Sequence, residues 1–302
     1  MRRDHPPYGG RQGVAERLDY RELLKGLAEI DEWLRAAGFG SYNRIRVHKR
    51  NLESLARATE NGTVEQYGAG LTGEQRRQLL WSFVESQEFV GSVKTLQRRG
   101  CEIPATVLER ALRGPADLYF EDESSSHGRN AMFEILVAAG VAQAGLTPQL
   151  GEPDVRFDFE GRRIFIQCKR VLTEAGIGKR VIEAGKQLKR DLSSSCDPRD
   201  CGIVVVSISR VVNVGNTVLV VPTELALRET LSRDIEAIML RQRQSLRQVK
   251  DPKVAGALFH LATPAFVQAM GTYVAASQAT IFPIPGKSDS ALLQRLASLI
   301  RL

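Results

Sequence analysis

Cysteine is scarce in this chain, with four among 302 residues, and histidine is as rare. Cys101, Cys168, Cys196 and Cys201 form no pair of C-x-x-C motifs and the histidines are scattered. A structural zinc site, which gathers four such ligands at close spacing, is therefore not expected. Cys196 and Cys201 flank a polar turn and leave room for a disulfide, which a reducing compartment would oppose. No apolar run is long enough to cross a membrane. The opening stretch MRRDHPPYGGRQG carries charge with no apolar core behind it, unlike a signal peptide. Repeats of fixed period are also missing. These absences lead to the expectation of a cytoplasmic protein with no membrane partner. Apolar residues make up 43% of the chain, enough to bury one large core or two smaller ones.

The net charge is +7 and is unevenly placed. Residues 1–126 hold 19 basic and 19 acidic side chains, so the whole excess lies in residues 127–302. Arg156 to Arg190 alone carries ten basic residues against four acidic ones. Such a local excess suits a polyanion such as nucleic acid, although a basic run alone also fits a solvated face.

Periodicity divides the chain into two parts. Residues 1–12, with Pro6-Pro7 and Gly9-Gly10, read as disordered. Residues 13–120 read as a helical N-terminal domain, with helices over Gly13–Ala37, Tyr42–Thr59, Gly73–Arg98 and Ala105–Leu112. Arg44, Arg46, Lys49 and Arg50 form a basic cluster on the second helix, best read as a solvated face. Residues 121–127 read as an exposed linker, in which Glu121, Asp122 and Glu123 could compete with DNA for the basic surface. Residues 128–302 read as an α/β domain with a mixed sheet flanked by helices. Its first helix covers Gly128–Ala144. A hairpin follows, then a loop containing Gly176 and Gly178, and a helix over Lys179–Leu192. Ile203–Ile208 is a continuous β-branched run suited to a buried strand. A helix capped by Thr223 extends toward Val249, strands cover Ala255–Leu261 and Thr272–Ile284, and a helix covers Ser288–Leu302.

The hairpin carries the chemistry. In PDVRFDFEGRRIFIQCKR, from Pro153 to Arg170, two runs alternate apolar and polar residues around Glu160-Gly161, which suits a tight turn. A two-residue turn sets Phe159 opposite Arg162, and Asp154 then falls opposite Gln167. One face becomes Val155, Phe157, Phe159, Ile164, Ile166 and Cys168. The other carries Asp154, Gln167 and Lys169, with Phe165 as its apolar member. A slip of one residue would mix the faces, so the pattern selects this register. Upstream, Glu134 sits in the apolar helix AMFEILVAAGVA. A lone carboxylate in such a helix is costly without a partner. Arg129, Lys169 or a metal shared with Asp154 would each serve.

These residues resemble the PD-(D/E)XK nuclease superfamily, whose fold is the restriction-endonuclease fold. Glu134 matches the helix acid, Pro153-Asp154 the start of the first hairpin strand, and Gln167-Cys168-Lys169 the end of the second. Gln stands where Asp or Glu is commonest, and this Q-X-K form is similar to the Mrr-type restriction endonuclease catalytic domain. The resemblance covers about residues 127–210. It implies a Mg²⁺-dependent endodeoxyribonuclease, with Mn²⁺ able to substitute, acting in restriction or host defence. Asp154, Glu134 and the backbone carbonyl of Cys168 would hold the metal. Gln167 would coordinate through its amide oxygen or orient a water, and Lys169 would position that water or stabilise the transition state. Arg170, Lys179, Arg180, Lys186, Gln187, Lys189 and Arg190 would contact nucleic acid. Many members dimerise, so a homodimer is open. Two other readings stand beside this one: a decayed module that binds nucleic acid without cutting it, and a nuclease that acts on RNA.

Overall fold

The computed structural model describes residues 14–17, 20–40, 42–116, 120–122, 125–195, 197–215, 217–249, 251–284 and 290–300. Residues 1–12, Glu123, Ser124 and Cys196 lie outside these, and with them the readings made for them. A short strand β1 (Val14–Arg17) precedes helices α1 (Tyr20–Ala36), α2 (Asn43–Glu60), α3 (Val64–Gly70), α4 (Gly73–Arg98) and α5 (Ala105–Leu112). Next come α6 (His127–Gln143), β2 (Gln149–Leu150), β3 (Val155–Phe159), β4 (Arg162–Arg170), α7 (Glu174–Ser193) and β5 (Cys201–Ser207). The remaining elements are α8 (Ser209–Val212), β6 (Leu219–Val221), α9 (Glu224–Arg241), α10 (Arg243–Arg247), β7 (Val254–Val267), β8 (Thr272–Pro283) and α11 (Ser290–Leu299).

One mixed sheet organises the molecule. Its order is β1-β8-β7-β5-β4-β3-β2, with β6 pairing β7 off this path. The β4–β5 and β5–β7 pairs are parallel, whereas β2–β3, β3–β4, β7–β8 and β1–β8 are antiparallel. Helices cover both faces, because both are apolar. On one face α7, α9 and α10 bury Val181, Leu188, Leu227 and Leu246 against Phe165, Val204, Val206 and Phe259. On the other, one apolar cluster runs from Phe157 and Ile166 of the hairpin through Ile135 of α6 to Phe83, Leu27 and Leu108 of the N-terminal helices. No helix of the described residues is long and apolar enough to cross a membrane.

The hairpin has the expected register, with Phe159 opposite Arg162 and Val155 opposite Ile166. Its turn places Glu160 at φ 50° and Gly161 at φ 70°. Positive φ at both central residues is the turn that follows the strands' own twist. At the start of α4, Thr72 Oγ1 accepts from the Gln75 N–H at 3.2 Å while Gln75 Oε1 accepts from the Thr72 N–H at 2.9 Å. This reciprocal cap fixes where the helix begins. Gly128 sets the seat of α6. A Cβ there would stand 1.9 Å from the Arg113 carbonyl oxygen, so glycine lets α6 start against the end of α5.

Several boundaries differ from expectation. Residues 14–17, expected within the first helix, form an edge strand against Val274–Ser277. Helix α7 starts at Glu174 and runs through Gly176 and Gly178, which were expected in a loop. The close approach of α10 accounts for Gly178. A Cβ on Gly178 would meet Ser245, and one on Gly185 would stand 2.8 Å from Val249 Cγ1. The helix expected to reach Val249 breaks at Gln242 into α9 and α10. Strand β7 continues to Val267, six residues past Leu261, because β8 pairs it throughout and β6 pairs its last three residues on the other side. Glu121, expected in an exposed linker, is 5% exposed.

Candidate metal centre

The site forms where α5, α6, α7 and the hairpin converge. Asp154 lies just ahead of β3, and its Oδ2 accepts the Cys168 backbone N–H at 2.7 Å. The hairpin register produces this contact by bringing residue 168 beside residue 154. The carboxylate is thus tied to the strand that carries Gln167 and Lys169. Burial raises its pKa first and the charge of Asp191 adds to the rise, while the Cys168 bond, Lys169 and Arg110 oppose it.

Glu134 comes from α6 and is 6% exposed. Burial and the charge of Asp154 push it up to about 7, against the pull of Arg110 and Lys169. Two carboxyls sharing one partly dry site resist being charged together, and a cation between them relieves that. Lys169 is half-buried and near enough to act on both acids. Gln167 is 6% exposed and its Nε2 donates to Asp191 Oδ2 at 3.1 Å. With the amide nitrogen held there, the amide oxygen is the end left to face a cation. The Cys168 thiol is held well above its ordinary value by burial and by the charges of Asp154 and Glu134. It stays a neutral thiol, so its residue can offer a cation the backbone carbonyl but not a thiolate.

The structure therefore brings together Glu134, Asp154, Gln167, Cys168 and Lys169. It also adds two residues that sequence reasoning missed. Arg110 of α5 donates to Glu134 Oε2 at 2.7 Å and is the ion-pair partner expected of Arg129 or Lys169. Asp191 of α7 orients Gln167. Neither follows a motif. Arg110 lies 24 residues before Glu134 and Asp191 lies 24 after Gln167, so no local period links them.

No protein-family model, no curated protein and no solved structure matches this chain. The donor set must speak for itself. Two carboxylates, an amide oxygen and a carbonyl are hard oxygen ligands suited to Mg²⁺ or Mn²⁺. Among the described residues no group of three or more His, Cys, Asp or Glu stands at metal-binding spacing. The residues present fit a cation that keeps waters and shares its substrate's phosphate, as Mg²⁺ does.

The expected nucleic-acid contacts divide into two groups. Lys179, Lys186, Lys189 and Arg190 are exposed along α7. Arg180 is half-buried and pairs with Glu183 at 3.0 Å, and Gln187 is half-buried with its Oε1 unpartnered. Arg170 is committed elsewhere. It grips Glu121 at 2.5 and 3.2 Å, and its side chain is 11% exposed, so it does not present its charge to solvent. Arg44, expected on a solvated face, is buried too and bonds Glu85 and the Ala111 carbonyl. Arg129 also pairs with Glu85. These pairs link helices far apart in sequence, which is why reading each helix alone placed Arg44 outside.

Proposed function

We propose that the protein is a metal-dependent endonuclease of the PD-(D/E)XK type, hydrolysing DNA phosphodiester bonds in the cytoplasm. The observation that carries this reading is the convergence of Glu134 and Asp154, from separate elements, beside Lys169 and the amide of Gln167. The order of helix, hairpin, basic helix and parallel strand supports the restriction-endonuclease-like fold that the Q-X-K motif implies. When bound, Mg²⁺ or Mn²⁺ supplies Lewis acidity toward the phosphate and lowers the pKa of a water.

The chain's own groups do the rest. Asp154, fixed by the Cys168 N–H, and Glu134 hold the cation. The Gln167 amide, held by Asp191 through its nitrogen, would offer its oxygen to the cation or to its water. Lys169 stabilises the negative charge that develops on the phosphoryl oxygens. Lys179, Lys186, Lys189 and Arg190 hold backbone phosphates along α7 without reading sequence.

Plasmid cleavage in Mg²⁺, Mn²⁺ and EDTA, on methylated and unmethylated DNA, tests the reading. Wild type should nick or linearise DNA with metal and not in EDTA. Asp154→Ala and Lys169→Ala should each lose about 100-fold or more. Metal-dependent cleavage that survives both changes would dismiss this site. Competition by single strands and RNA separates a DNA enzyme from one acting on RNA. One observation favours a module that binds without cutting: the Arg110 guanidinium already neutralises Glu134. Salt-sensitive DNA binding with no cleavage on any substrate would support that second reading.

A further inference from the structure

Between α6 and the sheet lies a polar cavity of about 40 Å³, lined on the helix side by Arg129, Met132 and Phe133. Arg170, Ser207 and His260 line it and sit side by side in register on β4, β5 and β7. Arg170 and Ser207 are the last residues of β4 and β5. The carboxyl ends of parallel strands are where open α/β sheets bind ligands. Phe133 of α6 closes the cavity against His260, with ring centroids 5.5 Å apart.

Buried donors here have no partner. Trp81 is 7% exposed and His260 is 1% exposed, and the indole Nε1 and both imidazole nitrogens make no hydrogen bond. Buried polar atoms are nearly always paired, and a cluster of exceptions marks a place where something else binds. Burial and the charge of Arg170 lower His260 to about 4, so its ring is neutral and offers one N–H and one acceptor. The wall is electropositive. Arg44, Arg129, Arg170 and Arg210 line it against the carboxyls of Glu85 and Glu88, and Glu121 behind Arg170 adds a third. Burial and the charge of Glu85 push Glu88 up to about 7, so it is partly protonated near neutral pH.

An outer cleft of about 450 Å³ adjoins the cavity, and Glu88 and Ala262 stand in the walls of both. Small residues, among them Gly91, Ala139, Gly140 and Ala276, shape the cleft, with Gln143 and Arg98 also in its wall. Its volume lies within the range of roughly 300–1,000 Å³ common for small-molecule sites.

We propose that this cavity and cleft bind a small phosphorylated molecule, its oxyanion in the inner cavity and its body in the outer cleft. The inner cavity has room for about three waters at ~10–15 Å³ each, and the oxygens of a phosphate take their places. The Trp81 N–H and the His260 N–H supply donors, and the arginines in the wall, though paired with carboxylates, add positive charge. This inference does not depend on the nuclease reading, since none of these groups belongs to the metal centre.

The experiment is a thermal-shift and calorimetric titration in EDTA, with sodium phosphate set against sodium chloride at matched ionic strength and pH. Phosphate should raise the melting temperature of wild type by several degrees and fit one site. Trp81→Phe and His260→Phe keep the apolar bulk and remove the donors. Each should weaken phosphate binding about tenfold or more, while Lys25→Ala, an exposed change on α1, keeps the wild-type shift. If His260→Phe fails to fold, Trp81→Phe decides. Phosphate acting no differently from chloride would mean that the cavity holds only water. A shift that survives Trp81→Phe and disappears in Lys186→Ala/Lys189→Ala would place the anion on α7. Either result overturns the proposal. A nucleoside 5′-monophosphate should bind more tightly than inorganic phosphate, and the nucleoside alone should not bind. A monophosphate no tighter than phosphate would overturn the role of the outer cleft.

Discussion

Glu134 has two competitors for its carboxylate, a proton and Arg110. Its pKa of about 7 means that below neutral pH a metal held there, as proposed, would have to displace the proton. Metal affinity should therefore rise by up to about tenfold per pH unit from pH 5 to 7 and level off above. Mn²⁺ titration followed by calorimetry would show this, and a flat profile would contradict it. At pH 8.5, where the proton no longer competes, Arg110→Ala should bind Mn²⁺ more tightly than wild type. Glu88 offers a separate test of sign. Its folded value of about 7 lies above the ordinary 4.5, so the folded state keeps a proton that the unfolded chain releases between those values. Its contribution to stability is full below pH 4.5 and is lost as pH rises through 7. Glu88→Gln should therefore gain stability relative to wild type across that window, measured by urea unfolding at each pH. The two acids of the candidate site were legible because a carboxylate stands out in an apolar helix and in an alternating strand. Arg110, Asp191 and Glu85 were not, because a partner reached through space leaves no mark in its own segment.

Among the elements, the hairpin was the most readable. Alternation, a two-residue turn and the cost of slipping the register all point one way. The start of α7 was misread because Gly176 and Gly178 are ambiguous. Glycine marks a loop in most sequences, but in α7 Gly178 marks where Ser245 of α10 presses close and Gly185 where Val249, just beyond α10, does. Strand β1 was missed because four residues are too few to show a period. The junction of α5 and α6 carries a prediction of its own. At Gly128 an added methyl would meet the Arg113 carbonyl rather than a movable side chain. Gly128→Ala should cost roughly 1–3 kcal/mol by overpacking and should push α5 away from α6, loosening Arg110 from Glu134. Denaturant unfolding reads the first effect, and a shift in the pH profile of metal binding reads the second.

For the molecule as a whole, the N-terminal helices and the sheet share an apolar cluster, and at their junction lies a buried ionic one. Glu85 receives Arg44 and Arg129 and lies 3.1 Å from His48 Nε2. Glu85→Ala would leave two guanidinium groups buried without their carboxylate. The expected loss is about 3–5 kcal/mol, seen as a lower melting temperature and a smaller unfolding free energy. Two separate transitions, one of them unchanged, would instead show that the helical part and the sheet unfold independently. The edge strand has a consequence in time. A ribosome releases Val14–Arg17 early, yet its pairing partner Val274–Ser277 emerges only after the rest of the sheet has been made. Until then β8 does not exist and β1 has nowhere to dock. The final seam of the sheet is closed by its earliest strand, so the nascent chain has to wait for residue 277 before that edge is sealed. A chain lacking residues 14–17 never seals it, and light scattering should find such chains sticking edge to edge.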